Sequence, residues 1–185
     1  MKTKSLYKTV IFVALATLLG ACTSMQWSAT RIDQEADDSL QVFQKQIKGS
    51  EIFLNQAAGY LVFPRVLRAG LVAGGETGEG VLRVSGKTVD YIRITSGSIG
   101  LQAGAQARSI VIAFMTTDSL QKFRDSSGWK VGVDGSVALV DIGAGKTIDT
   151  ANIKDPVVGF VFGSKGLMYN LTLEGTKFTK MDKGK

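Results

Sequence analysis

The chain has 185 residues, a length that suits one domain and allows a sizeable core. Apolar residues make up 44% and charged residues 21%, with 22 Gly and 2 Pro, which excludes a disordered or collagen-like chain. There is no His, and Cys22 is the single Cys. Ser-His-Asp catalysis, a His-ligated metal site, a zinc finger and an internal disulfide are therefore excluded, and no cofactor or metal is expected.

The first 21 residues have the pattern of a secretory signal. Three lysines precede an apolar run at residues 10–19, which is shorter than the roughly 20 residues that cross a bilayer. The run ends in Leu19-Gly20-Ala21-Cys22, which resembles a bacterial lipoprotein signal. The resemblance implies cleavage before Cys22 and acylation of its thiol. Residues 22–27 are expected to form this acylated Cys and a short tether. The alternative is an ordinary signal peptide with an incidental Cys.

Two further inferences follow from this signal. Thr23, rather than Asp, follows the Cys, which implies the periplasmic face of the bacterial outer membrane by the sorting rule of such lipoproteins. Three of the 22 basic residues leave with residues 1–21, so the net charge falls from +6 to +3. Nucleic acid is therefore not an expected partner.

Residues 28–58 form the helical part of a single domain that spans residues 28–185. Apolar residues recur every three or four positions from Ala29 to Lys48, with acids in the first half of the other side. Ser28 or Thr30 can cap this helix, and Gly49 ends it. Because membrane-surface helices are usually basic on their polar face, we expect this helix to pack on the domain. Residues 50–57 predict a short second helix.

Residues 59–181 predict a β-rich core, because short apolar runs are separated by Gly. The expected strands are Tyr60–Phe63 closed by Pro64, 71–73, 80–84, 88–95, 98–107, 109–114, two or three between 129 and 142, 157–162, 167–173 and 176–181. Turns are expected at 85–87, 163–166 and 174–175, and a capped helix at 117–124. The order predicts an α+β fold, with one or two helices on a curled, mainly antiparallel, glycine-rich β-sheet or partly closed barrel.

Residues 75–80 combine Gly with Glu76 and Glu79 and predict a tight connection. Paired carboxylates can act as general acid and base. Asp134 or Asp141 could join them, which leaves a carboxylate-based hydrolase as a minor alternative. Acids in loops at this spacing are usually solvated, so no catalytic residue is assigned.

Spaced glycine blocks in one order carry a resemblance to the SYLF domain family. They are VFPRVLRAG at 62–70, GGETGEGVL at 74–82, SIGLQAGAQ at 98–106, FMT at 114–116, GWKVGVD at 128–134 and GLMYNLTLEGT at 166–176. From Gly59 onward the chain is similar to this family of actin-regulating adaptors and bacterial lipoproteins. The resemblance implies a lipid-binding domain without catalysis. Eukaryotic members bind phosphoinositides or actin, and helix 29–48 departs from their basic lipid-binding segments.

Five basic residues are candidates for contact with anionic lipid, because each cation near such a surface contributes about 1 kcal/mol. They are Arg65 and Arg68 beside Phe63, and Arg83, Lys87 and Arg93 around one hairpin. The alternative is solvated charge that protects strand edges from aggregation. Lys180 and Lys183 are expected in a frayed tail.

The sequence therefore predicts a non-enzymatic lipoprotein, anchored by Cys22 to the periplasmic face of the outer membrane. Its SYLF-like domain would bind anionic phospholipid or an envelope component. The alternative is a structural or assembly factor of the envelope that binds a protein or peptidoglycan.

Overall fold

The computed structural model describes residues 27–70, 73–99, 104–141, 154–165 and 173–183. The predicted signal, Cys22 and nearly all of the strand expected at 167–173 lie outside these residues. Within the described part, three helices pack on one curled, mixed sheet of eight strands that forms a half-barrel. The predicted α+β fold is confirmed.

The elements follow the expected order of helices before strands. They are α1 (Ala29–Gln46), α2 (Ser50–Gln56), β1 (Gly59–Gly70), β2 (Ala73–Val84), β3 (Lys87–Ile99), β4 (Gly104–Phe114), α3 (Thr117–Asp125), β5 (Trp129–Lys130), β6 (Ala138–Asp141), β7 (Val157–Lys165) and β8 (Lys177–Met181). The strand order in the sheet is β5-β8-β3-β2-β1-β4-β7-β6. Only the β6–β7 pair is parallel among these strands.

Several strands are longer than the sequence predicts. The expected end of the first strand at Pro64 is wrong, because a bulge between Phe63 and Val66 carries β1 past the proline. A bulge tolerates Pro, since the extra residue needs no ladder hydrogen bond. The strand expected at 98–107 is also wrong, because β3 ends at Ile99 and β4 begins at Gly104 and continues to Phe114.

The tight connection predicted at residues 75–80 is wrong, because these residues lie inside β2. A side chain on Gly78 would lie 2.7 Å from the Arg65 carbonyl oxygen in β1. This glycine therefore permits close approach of two strands rather than a turn. The turn predicted at 163–166 begins too early, since β7 continues to Lys165.

The two helices α1 and α2 cover the half of the convex face near Gly59, which confirms the packing predicted for α1. Ile32, Ala36 and Phe43 of α1 are fully buried. The Phe43 ring lies 5.3 Å from that of Phe160 and 5.1 Å from that of Phe162 in β7, between ring centroids. Ser28 accepts a hydrogen bond from the Arg31 N–H at 3.3 Å and so caps α1.

Two acids of α1 bind side chains of the sheet. Asp33 accepts hydrogen bonds of 2.7 Å from the hydroxyls of Thr88 and Tyr91. Asp37 forms an ion pair of 2.6 Å with Arg83. Burial and the hydrogen bond to Asp33 raise the pKa of Tyr91 to about 12, so the phenol keeps its proton through neutral and mildly alkaline pH.

The concave face holds a second core. Trp129 of β5, near one edge of the sheet, and Val161 of β7, near the other, belong to one buried cluster, as expected where a sheet curls round its own side chains. Helix α3 adds Leu120 and Phe123 to this cluster. Among the described residues, none of the helices is long and apolar enough to cross a membrane.

Candidate functional site

Half of the convex face has no helix over it. The strands β1 to β4 have 11 to 13 residues, and the helices cover the half near Gly59. We call the other half the open face. Its outward side chains include Arg65, Leu67 and Ala69 of β1, Thr77 and Glu79 of β2, Arg93 and Thr95 of β3, Ala107 of β4, Lys177 of β8 and Lys130 of β5.

Strand register places these side chains in rows. Leu67 pairs with Thr77, Thr77 with Thr95, Thr95 with Lys177, and Lys177 with Lys130, so one row crosses five strands. Residues that pair directly point to the same face of a sheet. Leu67 is 49% exposed in this row. The open face thus combines an exposed apolar side chain with cations.

A second row contains the one acid placed among these cations in the described sheet. Arg65 pairs with Glu79, and Glu79 pairs with Arg93. Glu79 accepts hydrogen bonds from Arg93 at 2.8 Å and from Lys183 at 3.1 Å. Burial alone would raise the pKa of Glu79, but these two cations outweigh it and hold the pKa below its usual 4.5. Glu79 is therefore ionised at neutral pH and is matched by two positive charges.

Lys183 joins the last described residues to the first. Its ammonium donates to the Trp27 carbonyl oxygen at 2.8 Å as well as to Glu79, and its side chain is 6% exposed. The frayed tail predicted for Lys180 and Lys183 is therefore wrong. Lys180 lies in β8 and donates to the Arg124 carbonyl oxygen at 2.9 Å.

These contacts bring the start of α1 to the open face. The Arg31 guanidinium lies 4.8 Å from the centroid of the Trp27 ring, within the range of a cation–π contact. Cys22 precedes Trp27 by five residues. Five residues of fully extended chain span at most about 18 Å.

The five predicted lipid-contact residues do not form one cluster. Arg65 and Arg93 lie on the open face. Arg68 lies on the concave face, in register with Glu76 and Gln106, because three residues along a strand reverse the face. Arg83 is paired with Asp37 beneath α1.

Lys87 is exposed at the β2–β3 hairpin, at the end of the sheet away from the open face. Phe63, the expected apolar neighbour of Arg65, is fully buried and lies 5.6 Å from Phe178 between ring centroids. Leu67 is instead the exposed apolar residue on the face of Arg65.

The sequence analysis missed Lys130 and Lys177 on the open face. Each lies next to a buried aromatic residue, Trp129 and Phe178, in a short strand. This alternation is the signal that could have assigned both lysines to the outer side of a sheet. Their pairing across β5 and β8 is a long-range contact that no local pattern contains.

The structure does not bring the candidate catalytic carboxylates together. Glu76 and Glu79 lie on opposite faces of β2, and Glu76 is buried with Arg108 at 2.6 Å. The Asp134 carboxylate accepts a hydrogen bond from the Lys130 backbone N–H at 2.7 Å beside β5. Asp141 lies in β6, at the opposite edge of the sheet. No group of three or more potential metal-binding side chains occurs in the part of the chain that the structure describes.

Comparison with known families identifies the class of domain. Residues 95–184 match the Ysc84 family, described as "Las17-binding protein actin regulator". Residues 95–184 are therefore similar to the SYLF (Ysc84) family, which confirms the predicted resemblance over this segment. It contains Lys130 and Lys177 of the open face. No curated protein matches the chain.

Proposed function

We propose that this protein is a lipoprotein of the periplasmic face of the outer membrane whose SYLF domain holds its open face against anionic phospholipid, without catalysis. The observation that carries the proposal is the position of Trp27. It begins the described chain beside the open face, linked through Lys183 to Glu79, and it follows the acylation site Cys22 by five residues. An anchor so close to this face would bring the open face to the bilayer.

The charge of the open face supports contact with anionic lipid. Arg65, Lys130 and Lys177 are exposed, whereas Glu79 is matched by Arg93 and Lys183. Each cation near an anionic surface contributes about 1 kcal/mol. This attraction decays within about 8 Å at physiological ionic strength. The cations must therefore be held close to the lipid surface, as a short tether to an acylated Cys22 would do.

The second candidate function is an envelope structural or assembly factor that binds a protein or peptidoglycan. Its supporting observation is the exposure of Leu67 at 49% and of Val133 at 72%, since exposed apolar side chains also suit a protein interface. The two candidates differ in their response to lipid charge, which only the first requires.

The anchor is tested by the Cys22→Ser variant. We expect loss of acyl-chain labelling and release from the outer-membrane fraction, because the single thiol is the attachment point. Circular dichroism of the purified variant should match that of the parent protein. Normal labelling and membrane retention of Cys22→Ser would contradict the lipoprotein proposal.

The orientation is tested with the acylated protein in vesicles that contain bromine-labelled lipid. We expect quenching of Trp27 fluorescence, stronger in phosphatidylglycerol vesicles than in phosphatidylcholine vesicles and weaker with added salt. The Trp27→Phe variant is the control, because it reports the fluorescence of the other tryptophan alone. That residue, Trp129, is 4% exposed, so we expect little quenching of its signal. Removing one cation and one apolar side chain with Arg65→Gln/Leu67→Ser should at least halve the difference between the two vesicle types.

The matched control is Lys48→Gln/Val42→Ser, which removes the same kinds of side chain from exposed positions at the end of α1 and just beyond it. It should leave the quenching unchanged. Equal quenching in both vesicle types would favour the protein or peptidoglycan partner, and so would equal effects of the two double variants.

A further inference from the structure

A groove of about 620 Å³ lies at one side of the open face. It is lined by the ends of β3 and β8 and by the turn that follows β5. Lys130, Lys177 and Val133 line it together with Thr95 and Asp134. The groove is thus a depression in the surface that two exposed cations of the open face line.

The two lysines of this groove are an unusual pair. Lys130 and Lys177 lie directly opposite each other across the antiparallel β5–β8 ladder. Like charges in this arrangement destabilise a sheet. Neither ammonium forms an ion pair with any acid among the described residues. The pair therefore costs stability, and an anion between the two ammonium groups would remove that cost.

The acid that lines this groove is engaged with the backbone. Asp134 accepts from the Lys130 backbone N–H at 2.7 Å, and its own N–H donates to the Lys130 carbonyl oxygen at 2.9 Å. Gly132, with φ of 84°, completes this turn in a conformation that favours glycine. The turn thereby holds Asp134 against the backbone and Val133 outward, 72% exposed at the groove.

A glycine makes room for one of the lysines. A side chain on Gly128 would lie 2.7 Å from Lys177 Cε and 3.4 Å from its Nζ. The Lys177 side chain therefore lies across the position that a larger residue would occupy. Gly128→Ala would displace the ammonium without changing the charge of the protein.

We propose that this groove binds the phosphate group of an anionic phospholipid between Lys130 and Lys177, with Val133 against the glycerol and the first acyl carbons. Two ammonium groups offer six N–H donors, which suits the several oxygens of a phosphate. The exposed apolar side chain beside them suits a ligand that is charged at one end and apolar at the other. This inference rests on the proposed function, since the bilayer must reach the open face.

The test uses the full acylated protein in neutral detergent micelles with ¹³C-labelled valine methyl groups. The Val133 signals, assigned with Val133→Ala, report on the groove during titration with dihexanoylphosphatidylglycerol. We expect saturable shifts, with affinity about tenfold lower for Gly128→Ala and for Lys130→Gln/Lys177→Gln. The matched control Lys48→Gln/Lys154→Gln neutralises two exposed lysines that do not line the groove and should bind normally.

Titrations with two further ligands test whether the groove prefers an anionic phospholipid to other phosphate compounds. Dihexanoylphosphatidylcholine should bind more weakly, because its choline cation is repelled by the lysines. Glycerol 3-phosphate should also bind more weakly, because it lacks the acyl carbons. Equal affinity for glycerol 3-phosphate and for the anionic phospholipid would contradict the assignment of the ligand as a lipid. Unchanged phospholipid affinity in Gly128→Ala would contradict the assignment of this groove as the binding site. Trp27 quenching in vesicles is measured independently of the Val133 titration. The two experiments can therefore distinguish a failure of the proposed function from a failure of lipid binding in the groove.

Discussion

Substituting Phe43→Asp in α1 is expected to abolish stable folding of the domain. Phe43 is fully buried between α1 and β7, where it contacts the rings of Phe160 and Phe162. Loss of a buried Phe costs about 3–5 kcal/mol, and a buried carboxylate without a partner adds to that cost. Since a domain has about 5–15 kcal/mol of stability, we expect urea unfolding at a much lower midpoint or no folded state.

The neighbouring residue provides the control for this substitution. Val42, the preceding residue of the same helix, is 42% exposed. Val42→Asp should change the free energy of unfolding by about 0.5 kcal/mol or less, as is usual for surface positions. Similar unfolding midpoints for Phe43→Asp and Val42→Asp would contradict the packing of α1 on the sheet.

The second large effect is expected from the buried ion pair on the concave face. Arg108 donates to both carboxylate oxygens of Glu76 at 2.6 and 2.8 Å, and the two side chains are 3% and 4% exposed. Glu76→Leu leaves the guanidinium buried without this partner, which typically costs about 3–5 kcal/mol. Glu76→Leu/Arg108→Met should recover most of that loss, because apolar side chains of comparable length often replace buried ion pairs. Chemical denaturation of the three proteins measures both effects.

An exposed ion pair is the matched comparison. Lys122 and Asp118 lie 2.9 Å apart in α3 with side chains 70% and 75% exposed. Lys122→Gln should change stability by about 0.5 kcal/mol or less. If Glu76→Leu cost no more than Lys122→Gln, the burial of the Glu76–Arg108 pair would be wrong.

Local features of the sequence predicted much of the fold. The amphipathic repeat of α1 and the Ser28 cap depend on residues within a few positions of each other, and both are confirmed. The β2–β3 hairpin is confirmed for the same reason: Ser85 and Gly86 have φ of 50° and 75°, as a two-residue hairpin turn requires. The helix expected at 117–124 is confirmed as α3, with Thr116 as its cap.

The exact ends of strands could not be predicted from the sequence. Glycine is typical both of turns and of positions where two strands approach closely, and the sequence alone does not distinguish the two. Gly78 allows β2 to approach β1, and Pro64 sits at a bulge inside β1. In both cases a residue that usually ends a strand is accommodated by a partner strand distant in sequence. The sequence alone does not contain that partner.

The sequence by itself determined the helices, the α+β class and the family resemblance, since periodicity, capping and spaced glycine blocks are read along the chain. Only the tertiary structure decided which charges share a surface. Arg65 and Arg68 are three residues apart yet lie on opposite faces of β1, whereas Lys130 and Lys177 are 47 positions apart yet lie side by side. The physical reason is that side chains alternate between the faces of a strand, while the register that aligns strands is set by hydrogen bonds between distant segments.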